Sequence, residues 1–238
     1  MKSSKPIGLL FNRRPDVRTF SNDPRLPITD KYVGIEIEAE NIKYRNEDLI
    51  QLLGYWDVVT DGSLREYGSE FVSTKLRGMD IWLALTELKR VFKEHKIIPN
   101  YSDRTSVHVH VDSRFLTVEH LRVLILNYLM CEPYLFKYLK HNRENNPYCV
   151  PYYKNNSGIQ NLSNVFNSKF TFNHLPSVVR SGLKYEAMNI KSIEVKGSIE
   201  FRLHYGTHDP AQIFSWIQVL LTLFKLSKET SEDSFFMA

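Results

Sequence analysis

The sequence predicts one domain that combines helices with strands, and two kinds of residue spacing predict it. Three stretches carry apolar side chains at helical intervals, and three others alternate strictly between apolar and polar residues. With 238 residues, 42% of them hydrophobic and 13% aromatic, the chain can fill one sizeable core.

Residues 1–30 hold Pro6, Pro15, Pro24 and Pro27 without periodicity, which predicts an extended N-terminal arm ahead of a domain spanning 31–238. The first helix is expected from Met79 to His95, with Ile81, Leu85, Leu88 and Phe92 on one face. A second starts near Thr117 with Leu121, Leu124, Ile125 and Tyr128, and Pro133 should kink or break it. The third follows Pro210, a favoured first helical residue, and runs to about Lys228. Between Asn142 and Asn173 lie nine asparagines with Pro147, Pro151 and Gly158, the composition of a long loop of the lid or substrate-loop kind.

The net charge of +4 is unevenly spread. Six bases against two acids up to Arg25 account for all of it, and the remainder balances 25 bases with 25 acids. A neutral body argues against a nucleic-acid-binding domain, whose affinity comes from clustered cations. Cys131 and Cys149 are too few for a disulfide framework or a cysteine-rich zinc site. The early apolar run Ile7–Phe11 is followed by Arg13 and Arg14 and does not read as a signal peptide. The apolar stretches Val123–Met130 and Ile213–Phe224 fall short of the ~20 residues a membrane helix needs. The expectation is a soluble cytoplasmic protein without nucleic-acid or membrane partners.

The chemistry lies in the alternating segments. In Gly34–Glu40, Ile35, Ile37 and Ala39 point one way and Glu36, Glu38 and Glu40 the other. In Val107–Asp112 the valines oppose His108, His110 and Asp112, and in Ile199–His204 the polar set is Glu200, Arg202 and His204. A shorter segment, Glu70–Ser73, follows the turn sequence Asp61-Gly62-Ser63. An antiparallel sheet with one face in water also alternates in this way. Such a face favours Thr, Lys, Arg, Gln and Ser, however, whereas the polar positions here, Glu36, Glu38, Glu70, His108, His110, Glu200 and Arg202, are almost all groups that bind divalent cations or phosphate. Neighbouring carboxylates on one strand repel unless a cation lies between them. Alternate residues stand about 6–7 Å apart, a spacing that suits one or two hard ions, and a mostly carboxylate set selects Mg2+ or Mn2+ over zinc.

GIEIEAE, DGSLREYGSEFVS, SVHVHVD and KYEAMN followed by SIEFRLHYGTHD resemble, in order, the motifs of the amidoligases, a family of the glutamine synthetase and glutamate–cysteine ligase superfamily of carboxylate–amine ligases. The resemblance covers residues 32–228. It implies an α+β fold whose antiparallel sheet curves around a funnel-shaped site, with ATP at one end and a carboxylate substrate at the other. It further implies that Glu36, Glu38 and Glu70 bind metal, that His108 and Glu200 bind a second ion, and that His110 and Arg202 face the ATP phosphates. Lys184, Tyr185 and Asn189 would line the nucleotide or substrate side, and Arg143 would precede the substrate loop.

The implied reaction is ATP- and Mg2+-dependent amide or isopeptide formation through an acyl phosphate, with Glu200 and Arg202 as catalytic groups. Arg202 supplies a permanently charged planar fork suited to a transferring phosphoryl group. The substrates would be a small-molecule or peptide carboxylate and an amine; ligases of this type occur in phages and small biosynthetic clusters. Two other readings remain open from the residues. One is a metal-dependent hydrolase built on His108 and His110, drawing further ligands from His141, His174, His204 or His208. The other is a non-catalytic binding module that keeps the fold.

Overall fold

The computed structural model describes residues 5–10, 32–139, 141–167 and 169–230. Among the described residues six strands form one sheet: β1 (Val33–Ala39), β2 (Trp56–Thr60), β3 (Ser69–Ser73), β4 (Ser106–Asp112), β5 (Met188–Asn189) and β6 (Ser198–Tyr205). Their spatial order is β2-β3-β1-β4-β6-β5, and every neighbouring pair is antiparallel. Seven α-helices accompany them among the described residues: α1 (Asn46–Ile50), α2 (Met79–Glu94), α3 (Val118–Leu139), α4 (Asn156–Ser163), α5 (Leu175–Ser181), α6 (Ser192–Lys196) and α7 (Pro210–Glu229). This is an α+β fold.

Alternation along the strands sorts their side chains onto two faces. Ile35, Ile37, Phe71, Val107, Val109, Val111, Ile199 and Phe201 join one core with Leu85, Leu88 and Phe92 of α2, Leu121, Leu124 and Tyr128 of α3, and Ile213, Trp216 and Leu220 of α7. Burying each of these large side chains contributes about 1.5–3 kcal/mol. Aromatic edges lock the layers: Phe71 meets Phe92 at 5.1 Å, and Phe201 lies 5.8 Å from Tyr128. At the head of α7 the Asp209 side chain accepts the Ala211 N–H, as an N-cap should, with Pro210 just inside.

Three expectations meet a different outcome. α3 does not stop at Pro133 but continues to Leu139. Tyr128 on one side and Leu135, Phe136 and Leu139 on the other are buried, and that packing offsets the missing backbone hydrogen bond. The asparagine-rich segment, expected as a loop, holds helix α4 and four short 3-10 turns. Its asparagines act as caps, Asn155 Oδ1 accepting the Gly158 N–H at 3.1 Å, while Cys149, Tyr152, Leu162 and Val165 enter the core. Finally, His204 leaves the polar face. Val107 opposes His204 but Val109 opposes Phe201, so β6 carries one extra residue against β4. That bulge turns His204 to the helix side, where its ring lies 6.3 Å from Trp216.

Within the predicted arm, Ile7–Leu10 form a 3-10 turn, and buried Ile7 donates its N–H to the Leu116 carbonyl at 2.7 Å. The rest of the arm, residues 1–4 and 11–30, lies outside the described residues. Both cysteines are free thiols, and burial pushes the Cys149 thiol up to about 11, which fits a packing role. Among the described residues no helix is long and apolar enough to cross a membrane.

Candidate functional site

The antiparallel register builds the site. Pairing β1 with β4 sets Glu36 opposite His108, pairing β1 with β3 sets Glu38 opposite Glu70, and pairing β4 with β6 sets His110 opposite Glu200. All of them project from the face that the core leaves uncovered, and all but the half-buried Glu70 are buried. Above this floor lies a cavity of about 550 Å³. Its walls come from the β2–β3 turn (Asp61, Ser63), the segment before β4 (Arg104), the asparagine-rich segment (Tyr148), and the stretch from Lys184 to Lys196.

Among the described residues two sets of three ligand atoms lie within 4.8 Å of one another: Glu36, His110 and Glu200, and Glu36, Glu70 and His108. Glu36 belongs to both. His108 Nδ1 stands 3.3 Å from Glu36 Oε2 and 3.5 Å from Glu200 Oε1, so one ring nitrogen faces two acceptor oxygens. A proton or a metal ion resolves such an arrangement. On its other side, His108 Nε2 meets Ser106 Oγ at 2.7 Å, and that hydroxyl donates to Glu38 Oε2 at 2.5 Å. His110 Nε2 is 3.2 Å from Glu36 Oε1. Glu200 is held by Asn189 Nδ2 at 2.7 Å and by the Arg202 guanidinium.

The electrostatics follow from this crowding. Burial, then the charges of Glu36 and Glu38, push the Glu70 carboxyl up to about 8. Burial also works against Glu200 and Glu36, but their neighbours prevail. Arg202, His110 and His108 draw Glu200 down to about 2, and His110, His108 and Lys196 hold Glu36 well below the usual range. Carboxylates that cannot all stay ionised without added positive charge fit a divalent cation. The Asn189 side-chain carbonyl oxygen is also buried beside Glu200 without a hydrogen-bond partner among the described residues, and is a donor of the hard kind that Mg2+ and Mn2+ take.

Of the predicted site residues, Glu36, Glu38, Glu70, His108, Lys184, Tyr185, Asn189, Glu200 and Arg202 all line this cavity, and His110 contacts Glu36 beneath it. The Tyr185 ring stands 5.3 Å from Tyr148 and lies under Arg202, whose guanidinium carbon is 5.7 Å away. Arg143 is not brought into this cavity. It is buried behind β6, donating to the Thr105 and Arg202 carbonyls at 3.3 and 3.1 Å, and it borders a separate cavity with His141 and Tyr205. Two further carboxylates on the same strands serve structure. Glu40 Oε1 accepts the Arg65 N–H at 2.9 Å, and Asp112 pairs bidentately with Arg114. None of His141, His174, His204 and His208 lines the cavity, so the further histidine ligands a zinc hydrolase would need are not assembled there.

Sequence reasoning passed over Lys196, whose Nζ lies 2.6 Å from Glu36 Oε1 and 3.3 Å from His110 Nε2. It stands at the end of α6, outside any alternating strand, and reaches the floor because Gly197 turns the chain with φ +72°. The Lys-Gly pair ahead of an alternating strand was the available signal. Ser106, immediately before the predicted strand, and Arg104, two residues further back, were also missed and line the same space.

The family model described as "Putative amidoligase enzyme" matches residues 28–224, most of the chain and every element that builds the cavity. No curated protein matches the sequence.

Proposed function

We propose a carboxylate–amine ligase activity from one premise: the chain belongs to the amidoligase family. The observation that carries the reading is how charge divides across the cavity. Of its five carboxylates, four stand on the strands; of its five permanent cations, Arg104, Lys184, Lys191 and Lys196 come from the surrounding segments and Arg202 alone from the sheet. An acidic floor beneath a basic rim suits a polyanion joined to the floor by divalent ions.

In the proposed reaction a substrate carboxylate oxygen attacks the γ-phosphorus of ATP and ADP leaves. The amine then attacks the acyl carbon of the resulting acyl phosphate, inorganic phosphate departs, and the amine's proton passes to solvent or a base. Glu36, Glu38, Glu70, His108 and Glu200 would hold Mg2+ or Mn2+, with His110 adjoining them through Glu36. A cation there would offset the repulsion between polyphosphate and carboxylate.

Arg202 is fixed between Glu200 and the Tyr148 carbonyl, its Nε 3.0 Å from that oxygen, and so presents its charge to the cavity in one orientation. Positioning of this kind supplies much of the catalysis of a phosphoryl transfer. Lys184 adds a cation at the cavity wall, Asn189 orients Glu200, and the exposed ring of Tyr185 offers a flat surface to nucleotide or substrate. Arg143 acts from behind by holding the backbone of Arg202. The acid could be a small molecule or a peptide, and a cytoplasmic setting accords with the use of ATP. The basic rim around an acidic floor also supports reading the cavity as the mouth of a glutamine synthetase-like funnel.

The test is incubation of the protein with Mg-ATP and a panel of acids and amines, following ADP and phosphate release. We expect turnover with some pair, and loss of at least ~100-fold in Glu36→Gln and Glu200→Gln variants that keep their fold by circular dichroism. Absence of both nucleotide binding and ADP release would remove the reading. Unchanged turnover in either variant would remove that residue from the site.

A further inference from the structure

Glu36 is the one residue shared by both candidate metal-ligand sets, and its Oε1 atom is already in use. Lys196 Nζ sits 2.6 Å from that oxygen and 3.3 Å from His110 Nε2. Both partners belong to the Glu36–His110–Glu200 set. An ammonium and a divalent ion cannot occupy the same oxygen and imidazole at once, because the two cations would stand almost in contact. Lys196 is also built to leave. Its side chain is 26% exposed against 10% for Glu36, it stands on a flexible four-carbon stem, and it ends a five-residue helix.

We propose that Lys196 is a tethered competitor for the metal, occupying the Glu36–His110 corner of the site in the metal-free protein and withdrawing when a divalent cation enters. The inference rests on the metal reading given above and adds a residue that controls occupancy. In the metal-free state the lysine offsets the charge of Glu36. In the loaded state the released ammonium lies in a cavity that already holds Arg104, Lys184 and Lys191, where an anionic ligand would be its partner.

Mn2+ binding, measured by the electron paramagnetic resonance of free Mn2+ without nucleotide, tests this. Breaking a charge-assisted hydrogen bond to admit the ion corresponds to roughly tenfold or more in affinity. Lys196→Gln should therefore bind Mn2+ at least about tenfold tighter than wild type, while Lys196→Arg, which keeps the cation, stays close to it. Lys191→Gln removes an equal charge from the same cavity without touching Glu36, so it isolates the general field and should change affinity by less than about threefold. Equal affinity in wild type and Lys196→Gln, or the same gain in Lys191→Gln, overturns the proposal while leaving the metal site standing. No Mn2+ binding in wild type and in Lys196→Gln overturns the metal reading itself. A second measurement needs no variant: Mn2+ should raise the labelling of Lys196 by an amine-reactive reagent, read by mass spectrometry, and unchanged labelling counts against it.

Discussion

The two faces of β4 differ in chemistry but not in burial. Val107, Val109 and Val111 on one side and His108, His110 and Asp112 on the other are all withdrawn from solvent. The valine face is stabilised by removal from water, and each contact adds to the next. The histidine face is held by compensation: each buried charge is tolerated only because another stands beside it, as Lys196 beside Glu36 and Arg202 beside Glu200. One face is stabilised by leaving water, and the other stays buried only through its ion pairs.

The largest break in this comparison comes from the apolar side. Phe201→Ala should cost about 3–5 kcal/mol in urea unfolding, because Phe201 is fully buried between Tyr128 and Phe224. A loss below ~1 kcal/mol would mean that the layers collapse to fill the space. The next effect follows His204, the residue that the bulge moves from one face to the other. Burial lowers its pKa from 6.5 to about 4, so the unfolded chain takes up a proton at a pH where the native ring stays neutral. Stability is therefore full above pH 6.5 and is lost as pH falls toward 4, on the order of 2–3 kcal/mol. His204→Phe should flatten that part of the pH–stability curve relative to wild type, and parallel curves would assign the pH dependence elsewhere. The smallest effect has the opposite sign. Glu70 stands directly across from Glu38, so above pH 8, where both are ionised, Glu70→Gln should stabilise the metal-free protein by roughly 0.5–1 kcal/mol while weakening its response to Mn2+. Destabilisation there would mean that Glu70 is already compensated.

Both faces were legible in the sequence because period-two alternation is local. Ile35 and Glu36 announce opposite sides of a strand without reference to anything distant. Helices α2 and α7 were legible for the same reason, with boundaries within a residue or two of those predicted. What the sequence hid depends on register and on tertiary approach. No local pattern reveals the bulge that turns His204 away, since it exists only in the pairing of β4 with β6. Lys196 lies 160 positions from Glu36 and reaches it through a short helix and a glycine turn. The asparagine-rich segment misled because composition reports turn-forming residues, while Cys149, Tyr152, Leu162 and Val165, spaced among them, decide where the segment packs.

Arg143 ties that segment to the sheet at a place that bears on how the protein could be altered. Its guanidinium spans the carbonyls of Thr105, just ahead of β4, and Arg202, within the bulged stretch of β6. The segment and the strand that carries Arg202 are thereby fastened as one mechanical piece. A library meant to change the accepted substrate can vary exposed positions such as Asn145 and Asn156, but Arg143 fastens the segment to β6 and Tyr152 fastens it to β5, its hydroxyl donating to the Met188 carbonyl at 2.8 Å. Selectivity in such a protein would be tuned by what the segment presents outward, while the rate would be lost wherever its anchors are disturbed.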